Sequence, residues 1–365
     1  MNSRVKRLRA FMAQNELDAF MVTEGKNRRY LSGFMGSSGV LLVTNEAQYL
    51  LTDFRYFEQV ARQAPSWSLW KQKMSQTQQA AVCDLLEEVK PGRLGIEANV
   101  LTVAEWDEYQ EKGPKESTWV ATKDVIRNLR AIKSADEIER IRHAQRITDA
   151  AGAQLPLLIE PGRTEKQVAW ELEKLLHDLG ADGLAFDIIV ASGPNSALPH
   201  YRPADRVIEQ NEIVLVDFGA KWDGYHSDMT RTFFTGEPTP KYNRVYHIVL
   251  DALHKVEQTI KAGFGLKAGD AIARDFIKAH DHGEHFGHGL GHAVGLDIHE
   301  TPKLSSRAEE EETLAANNIM TIEPGIYLPG WGGIRIEDLA LITQNGIEIF
   351  TTTTKNIDAW RLARG

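Results

Sequence analysis

Several common signatures are missing from this chain, and each absence removes a class of function. There is one cysteine, Cys83, so no disulfide framework holds the fold, and a reducing compartment suits it. Lysine and arginine number 42 against 51 acids, a net charge of −9. That is the wrong sign for a nucleic-acid partner. No apolar run approaches the roughly 18 residues that a membrane span needs. The N-terminus is basic through Arg4, Lys6, Arg7 and Arg9, but Gln14, Asn15, Glu16 and Asp18 interrupt any signal-peptide core. A cytoplasmic protein is the expectation. Gly287, Gly289 and Gly291 begin a dinucleotide fingerprint that His292 and Val294 leave incomplete. No Gly-Lys-Ser/Thr phosphate loop and no Gly-x-Ser-x-Gly elbow occurs. His299-Glu300 lacks a histidine three residues on, which excludes the helical single-zinc protease motif.

Histidine, by contrast, is concentrated. Six of the 12 histidines fall between His280 and His299, in a stretch whose glycines keep the backbone slim enough for side chains or a ligand to approach. A histidine-rich loop alone can scavenge metal without doing chemistry. A working metal site needs further ligands elsewhere in the chain.

The 365 residues have room for two domains, and 42% apolar with 25% charged residues is ordinary for a globular protein with a full core. Strand and helix patterns alternate over residues 1–123, predicting a small α/β domain, with Cys83 on the core face of a helix. Thr102 with Glu105 forms one capping box in it. Residues 124–133 read as a linker, part helical, and 134–365 as a second domain. There Ser134 with Glu137 opens a long helix predicted to run to about Leu158, with Pro156 bending its last turn. Thr164 with Gln167 opens another, ended by Gly180. A strand is predicted over Phe186–Ala191 and a last helix over Asp270–His280. The loop from Ser192 through His200 to Pro203 is too rich in turn formers to lie inside an element.

Two hairpin patterns supply the missing ligands. Ile213 to Asp217 is a buried-strand pattern carrying one charge, followed by Gly219, a turn through Trp222-Asp-Gly224 and Asp228. Ile319 to Glu323 repeats it, with Gly325, a turn through Trp331-Gly-Gly333, then Arg335 and Glu337. This reads as a degenerate internal duplication that could bring four carboxylates to one centre. Carboxylates within apolar strands are costly unless compensated, and four ionised together imply bound cations. With His292 they make a mixed oxygen and nitrogen set suited to two divalent metals.

These residues resemble a known family. Asp217-Phe-Gly-Ala, Asp228-Met-Thr-Arg-Thr, His288-Gly-Leu-Gly-His292, Thr321-Ile-Glu323-Pro-Gly and Arg335-Ile-Glu337-Asp look like the dinuclear metallopeptidases of the pita-bread fold. Leu129-Arg-Ala-Ile-Lys133-Ser and Ser192-Gly-Pro-Asn-Ser-Ala-Leu-Pro-His200 resemble its proline-specific members, aminopeptidase P and prolidase, and the resemblance spans essentially the whole chain. It implies an α+β architecture: a pseudo-twofold pita-bread domain preceded by a smaller α/β domain. It also implies roles. Asp217 would bind one metal, Asp228 and Glu337 would bridge both, and His292 and Glu323 would hold the other. A bridging hydroxide would attack, with Glu323 handling its proton. His200 and His299 would polarise the scissile carbonyl, and His288 would stand beside the metals or face the substrate. Arg335, two residues before Glu337 on one strand face, could anchor that carboxylate. Tyr201 departs from the glycine common after this histidine, and Met35 from an expected threonine. His280, His282 and His285 match no ligand position.

The implied activity is hydrolysis of the Xaa-Pro bond at peptide N-termini by an Xaa-Pro aminopeptidase, with Xaa-Pro dipeptidase as the alternative. More remote readings are a metal-free pseudopeptidase acting as a binding module, a metal-free hydrolase of the creatinase type, and an enzyme for other peptides. The oxygen-rich ligation suits Mn²⁺, with Zn²⁺ and Co²⁺ as alternatives. Short proline-containing peptides are the expected partners, and a homodimer is expected by resemblance.

Overall fold

The computed structural model describes residues 3–357, so residues 358–365 of the predicted second domain lie outside it. The chain divides into two compact units, Met1–Arg130 and Ala131–Gly365. The division falls within the stretch read as a linker, where Val125–Ala131 is helical.

The first unit is built on a six-stranded sheet. From edge to edge it runs Ser68–Lys71, Gln48–Thr52, Val40–Thr44, Ala19–Val22, Arg93–Glu97 and Thr118–Thr122. Val40–Thr44 is antiparallel to both its neighbours and the other pairings are parallel. Its central strands are buried almost throughout, as strands covered on both faces must be. Leu85 and Leu86 of the Gln78–Val89 helix pack on Met21, Leu42 and Ile96. Cys83 is in that cluster, and burial pushes its thiol up to about 11, which fits a packing role rather than a nucleophile. The Gly25–Ser32 helix is capped locally, by the Glu24 carboxylate accepting the Asn27 amide and by Gly33 in the left-handed region. A distant residue, Glu97, adds to its start: its carboxylate accepts the Thr23 and Glu24 amides and Asn27 Nδ2.

The second unit repeats itself. Its first half has helices Ala135–Gly152 and Glu165–Asp178, then an outer strand pair, Ile213–Phe218 with Met229–Phe234, enclosing a short inner pair, Ala220–Trp222 with Tyr225–His226. Its second half has helices Pro240–Glu257 and Leu266–Ala279, then an outer pair, Ile319–Ile322 with Asp338–Ile342, enclosing Gly325–Leu328 with Gly332–Arg335. Each half has its own apolar core, one around Val168, Leu172, Val214 and Val216, the other around Val249, Leu253, Met320 and Ile322.

The Thr102, Ser134 and Thr164 capping boxes form as the spacing predicts. Four boundaries differ from the sequence reading. The Ser134-capped helix stops at Gly152, and Leu155–Leu158 is a separate turn. Pro156 lacks an N–H and its ring opposes the carbonyl four residues back, that of Gly152. The strand predicted over Phe186–Ala191 occupies Ile189–Ser192. The last helix begins at Leu266, ahead of Asp270. In the second hairpin the turn lies at Pro329-Gly330, where Gly330 has φ 77°, rather than at Trp331-Gly-Gly333. Trp331 precedes the returning strand, so the two turns are not equivalent. Among the described residues, no helix is long and apolar enough to cross a membrane.

Candidate metal centre

The acids arrive by strand register. Asp217 sits on Ile213–Phe218 opposite Thr230 of Met229–Phe234. Asp228 immediately precedes that second strand, Glu323 follows Ile319–Ile322, and Glu337 precedes Asp338–Ile342. Glycine permits the two closest backbone approaches. A Cβ at Gly219 would meet the Ser227 carbonyl at 2.0 Å, and one at Gly291 the Thr321 carbonyl at 2.0 Å. Asp217, Asp228 and Glu337 are all buried, and one oxygen from each lies within 4.8 Å of the others.

Glu323 and His292 complete the group. His292 Nε2 is 3.6 Å from Asp228 Oδ2 and 3.5 Å from Glu323 Oε1, too long for hydrogen bonds. Its Nδ1 faces the Ala293 carbonyl at 3.1 Å, so Nδ1 carries the proton. Burial, then the neighbouring His299, drops the imidazole pKa to about 3, so the ring is neutral and Nε2 presents a bare lone pair to two carboxylates. The acids show the same strain. Burial, then Glu337, raises the Asp228 pKa well above its usual range. Burial, then Glu323, does the same for Glu337, and burial raises Glu323 to about 8. Asp217 Oδ1 and Asp228 Oδ1 are buried with no hydrogen-bond partner. Lone pairs aimed at lone pairs, and orphaned carboxylate oxygens, are what a cation between them would resolve. These residues fit divalent metal.

Arg335 corrects one expectation. It anchors Asp217 rather than Glu337: Nη2 donates to Asp217 Oδ2 at 2.5 Å and Nε to Thr230 Oγ1 at 3.0 Å. Glu337 is held instead by the Thr230 hydroxyl, which donates to Oε2 at 2.7 Å. Arg335 Nη1 also donates to the Tyr327 hydroxyl at 2.7 Å. Tyr327 is a site residue that the sequence reading missed. Its hydroxyl lies 2.9 Å from His288 Nε2, and His288 Nδ1 lies 2.8 Å from the Gly289 carbonyl. Burial brings the His288 pKa down to about 4, so the ring is neutral, Nδ1 donates to the carbonyl and Nε2 accepts from Tyr327. Burial also lifts Tyr327 to about 12, which keeps its hydroxyl protonated. A directed relay results, Arg335 to Tyr327 to His288, and both nitrogens of His288 are committed to protein groups.

The remaining histidines ride loops. His299 is exposed, and its ring lies edge-on to His292 with centroids 4.5 Å apart. His200 is exposed on the Gly193–Pro203 loop, close enough for its charge to depress His288. Buried carboxylates brace the His288 and His299 loops. Asp270 accepts the Leu290 amide and pairs with Arg274, which donates to the Phe286 and His288 carbonyls. Glu300 accepts the Asp297 amide and Lys133 Nζ, both at 3.1 Å. His280, His282 and His285 stand apart, with His280 against Phe276 and the other two rings 5.6 Å from one another. Lys303 is a second residue the sequence reading passed over. It is exposed, stands opposite His292 in the strand register, and its charge adds to the depression of the His292 pKa.

A two-unit chain with a duplicated hairpin around buried acids and one neutral imidazole defines a metal-dependent hydrolase. Residues 139–344 match the metallopeptidase family M24 and residues 4–132 the creatinase/prolidase N-terminal domain. The chain belongs to family M24, and it is a metallopeptidase with the pita-bread fold. It is 38% identical to an Xaa-Pro dipeptidase of Pyrococcus horikoshii over 98% of this chain and 99% of that protein. An Xaa-Pro dipeptidase structure from Bacillus anthracis superposes with a TM-score of 0.94 at 37% identity, covering 97% of this chain and 98% of that one. An X-Pro aminopeptidase from Thermotoga maritima superposes with a TM-score of 0.89 at 33% identity, covering 97% and 99%.

Proposed function

We propose that this protein is an Xaa-Pro dipeptidase, the alternative of the sequence reading, rather than the Xaa-Pro aminopeptidase named there first. Whole-length similarity to Xaa-Pro dipeptidases supports it. The observation that carries it is Lys303, an exposed cation across from His292. An Xaa-Pro dipeptide presents a free carboxylate one residue beyond the scissile bond. A longer peptide presents an uncharged amide there, so a cation on this side of the site favours the dipeptide.

In this reading Asp217, Asp228, Glu337, His292 and Glu323 hold two divalent ions, and the oxygen-rich set suits Mn²⁺. Bound there, the ions supply Lewis acidity at the scissile carbonyl and lower the pKa of the attacking water. The Xaa-Pro bond has no N–H, so recognition falls on its carbonyl and on the termini. His200 and His299, both exposed on loops, donate to the carbonyl oxygen as it gains charge. Glu323 takes the proton of the attacking water and returns it to the departing proline nitrogen. His288 holds the Tyr327 relay and so fixes Arg335 against Asp217.

The test is hydrolysis of an Xaa-Pro dipeptide and an Xaa-Pro-Yaa tripeptide by Mn²⁺-reconstituted protein, with metal content measured alongside. Turnover of the dipeptide alone is expected. Efficient turnover of the tripeptide would restore the aminopeptidase reading. Lys303→Met should raise KM for the dipeptide by about tenfold, the scale of one charge-assisted contact, with kcat near the parent's; an unchanged KM would remove Lys303 from the argument.

A further inference from the structure

We propose that Glu165 and Tyr201 act together as a positioning device for His200. The inference rests on the reading above, in which His200 faces the scissile carbonyl. The loop that carries His200 has little to hold it. Among the described backbone bonds, residues 198–203 make two, Leu198 N to the Asn195 carbonyl at 3.0 Å and Tyr201 N to the Leu198 carbonyl at 3.2 Å, and Leu198, His200 and Arg202 are exposed. Such a segment is ordinarily mobile. Here one side chain gathers it. Glu165, the first residue of its helix, is fully buried. Its Oε1 accepts Ser192 N at 2.8 Å, Ser192 Oγ at 2.7 Å and Asn195 Nδ2 at 3.1 Å. Its Oε2 accepts the Tyr201 hydroxyl at 2.8 Å and Ala204 N at 3.2 Å. The five donors run from Ser192, just before the loop, to Ala204, just after it.

Tyr201 is the one of these that reaches from the carboxylate toward the site. Its hydroxyl donates to Glu165 and accepts from Asn195 Nδ2 at 2.8 Å. Its ring packs against the cluster of Ile189, Ala191, Leu215 and Tyr327. Tyr327 is the residue that links Arg335 to His288. Tyr201 is therefore fixed at its tip by a buried charge and along its ring by the wall of the metal centre. His200 is its immediate neighbour in the chain. A glycine at this position would have neither handle. In this chain the side chain at 201 supplies the order that a glycine would lack, and the loop is set before substrate arrives.

A merely structural tyrosine would stabilise the loop without acting through His200, and a double-mutant cycle separates the two. Kinetics on an Xaa-Pro dipeptide would be measured for the parent, Tyr201→Phe, His200→Ala and the double variant, all metal-loaded, with thermal unfolding as a control. Tyr201→Phe keeps the ring and removes only the hydroxyl. It should lower kcat by about tenfold, the scale on which a displaced catalytic group loses rate, with KM within about twofold. On the His200→Ala background the same change should cost nothing further. An equal loss on both backgrounds, or no loss in the parent, would overturn the proposal. Glu165→Gln should produce the same pattern with a larger loss. A second readout needs no turnover. The His200 ring resonance, identified by its disappearance in His200→Ala, should be narrow in the parent and broadened or shifted in Tyr201→Phe; an unchanged resonance would equally overturn it. If the parent cleaves no Xaa-Pro bond, the dipeptidase reading falls while this resonance still decides the positioning role.

Discussion

Two largely buried charge clusters lie back to back in the catalytic unit, and they are balanced in opposite ways. The first holds Asp217, Asp228, Glu323 and Glu337 against the single cation Arg335. The second holds Asp338 and Glu257 against Arg231 and Lys355. They share a peptide bond, because Glu337 and Asp338 are consecutive and consecutive residues of an extended chain point to opposite sides. The partner strand alternates in step: Thr230 donates to Glu337 and Arg231 to Asp338 at 2.8 Å. Arg231 also takes the Glu337 and Thr353 carbonyls, and Lys355 pairs with Asp338. Burial alone would raise the Asp338 pKa, but Arg231 and Lys355 bring it below the usual range. Burial and then Asp338 push its neighbour Glu257 up to about 8. Matched charge is architecture, whereas the unmatched acids one residue away are a site.

The comparison is broken most severely by removing Asp228 or Glu337 from the first cluster. Asp228→Ala or Glu337→Ala should reduce hydrolysis to background and lower bound metal, while the metal-free variant unfolds no more easily than the metal-free parent. Full activity in metal-verified variant protein would withdraw the assignment. Asp338→Asn should act the other way. By stranding Arg231 it should cost about 3–5 kcal/mol of unfolding free energy, read by urea denaturation, and a stability equal to the parent's would show that the second cluster is not structural. Tyr327→Phe cuts the Arg335 to His288 relay and should cost about 1–2 kcal/mol in kcat/KM, roughly tenfold, with metal content little changed. The smallest effect is that of pH on metal-free protein. Glu323 has its folded pKa raised to about 8 from 4.5, so its protonation favours the folded state fully below the lower value, and that contribution is lost as pH rises through the upper one. Metal-free protein should melt at a lower temperature at pH 8 than at pH 6, and Mn²⁺ should flatten the difference; a melting temperature that rises over this interval would contradict the raised carboxylates.

The sequence carried the acids well because an ionisable residue inside an apolar strand is a local anomaly, visible at Asp217 and Glu323 without knowledge of what they face. Capping boxes at Thr102, Ser134 and Thr164 are local too. The partners were not legible. Arg335 shares a strand face with Glu337, yet its guanidinium crosses to Asp217 on the other hairpin, and spacing within one strand says nothing of that. Tyr327 sits in a strand where an aromatic is unremarked, and only the tertiary fold brings its hydroxyl to His288. Glu165 carries no signal of its own in the sequence, and Lys133 appears there only as part of a motif. Each proves to be a brace for a loop distant in sequence. The Gly25–Ser32 helix escaped notice because its N-cap is a glutamate rather than Ser, Thr, Asp or Asn, and Glu97 reinforces its start from a distance. The proposed preference for dipeptides rests on Lys303, whose place opposite His292 depends on a strand pairing with a register shift beside it.

The shared peptide bond also limits how this protein can change over generations of mutation. Either cluster can drift by single substitutions, since each side chain has its own partners. A one-residue insertion or deletion between Arg335 and Leu339 has no such freedom. It would turn the carboxylates on both sides at once, pressing one toward uncompensated acids and withdrawing the other from Arg231. Related chains should therefore vary in length in the loops around this strand and keep the count of residues within it.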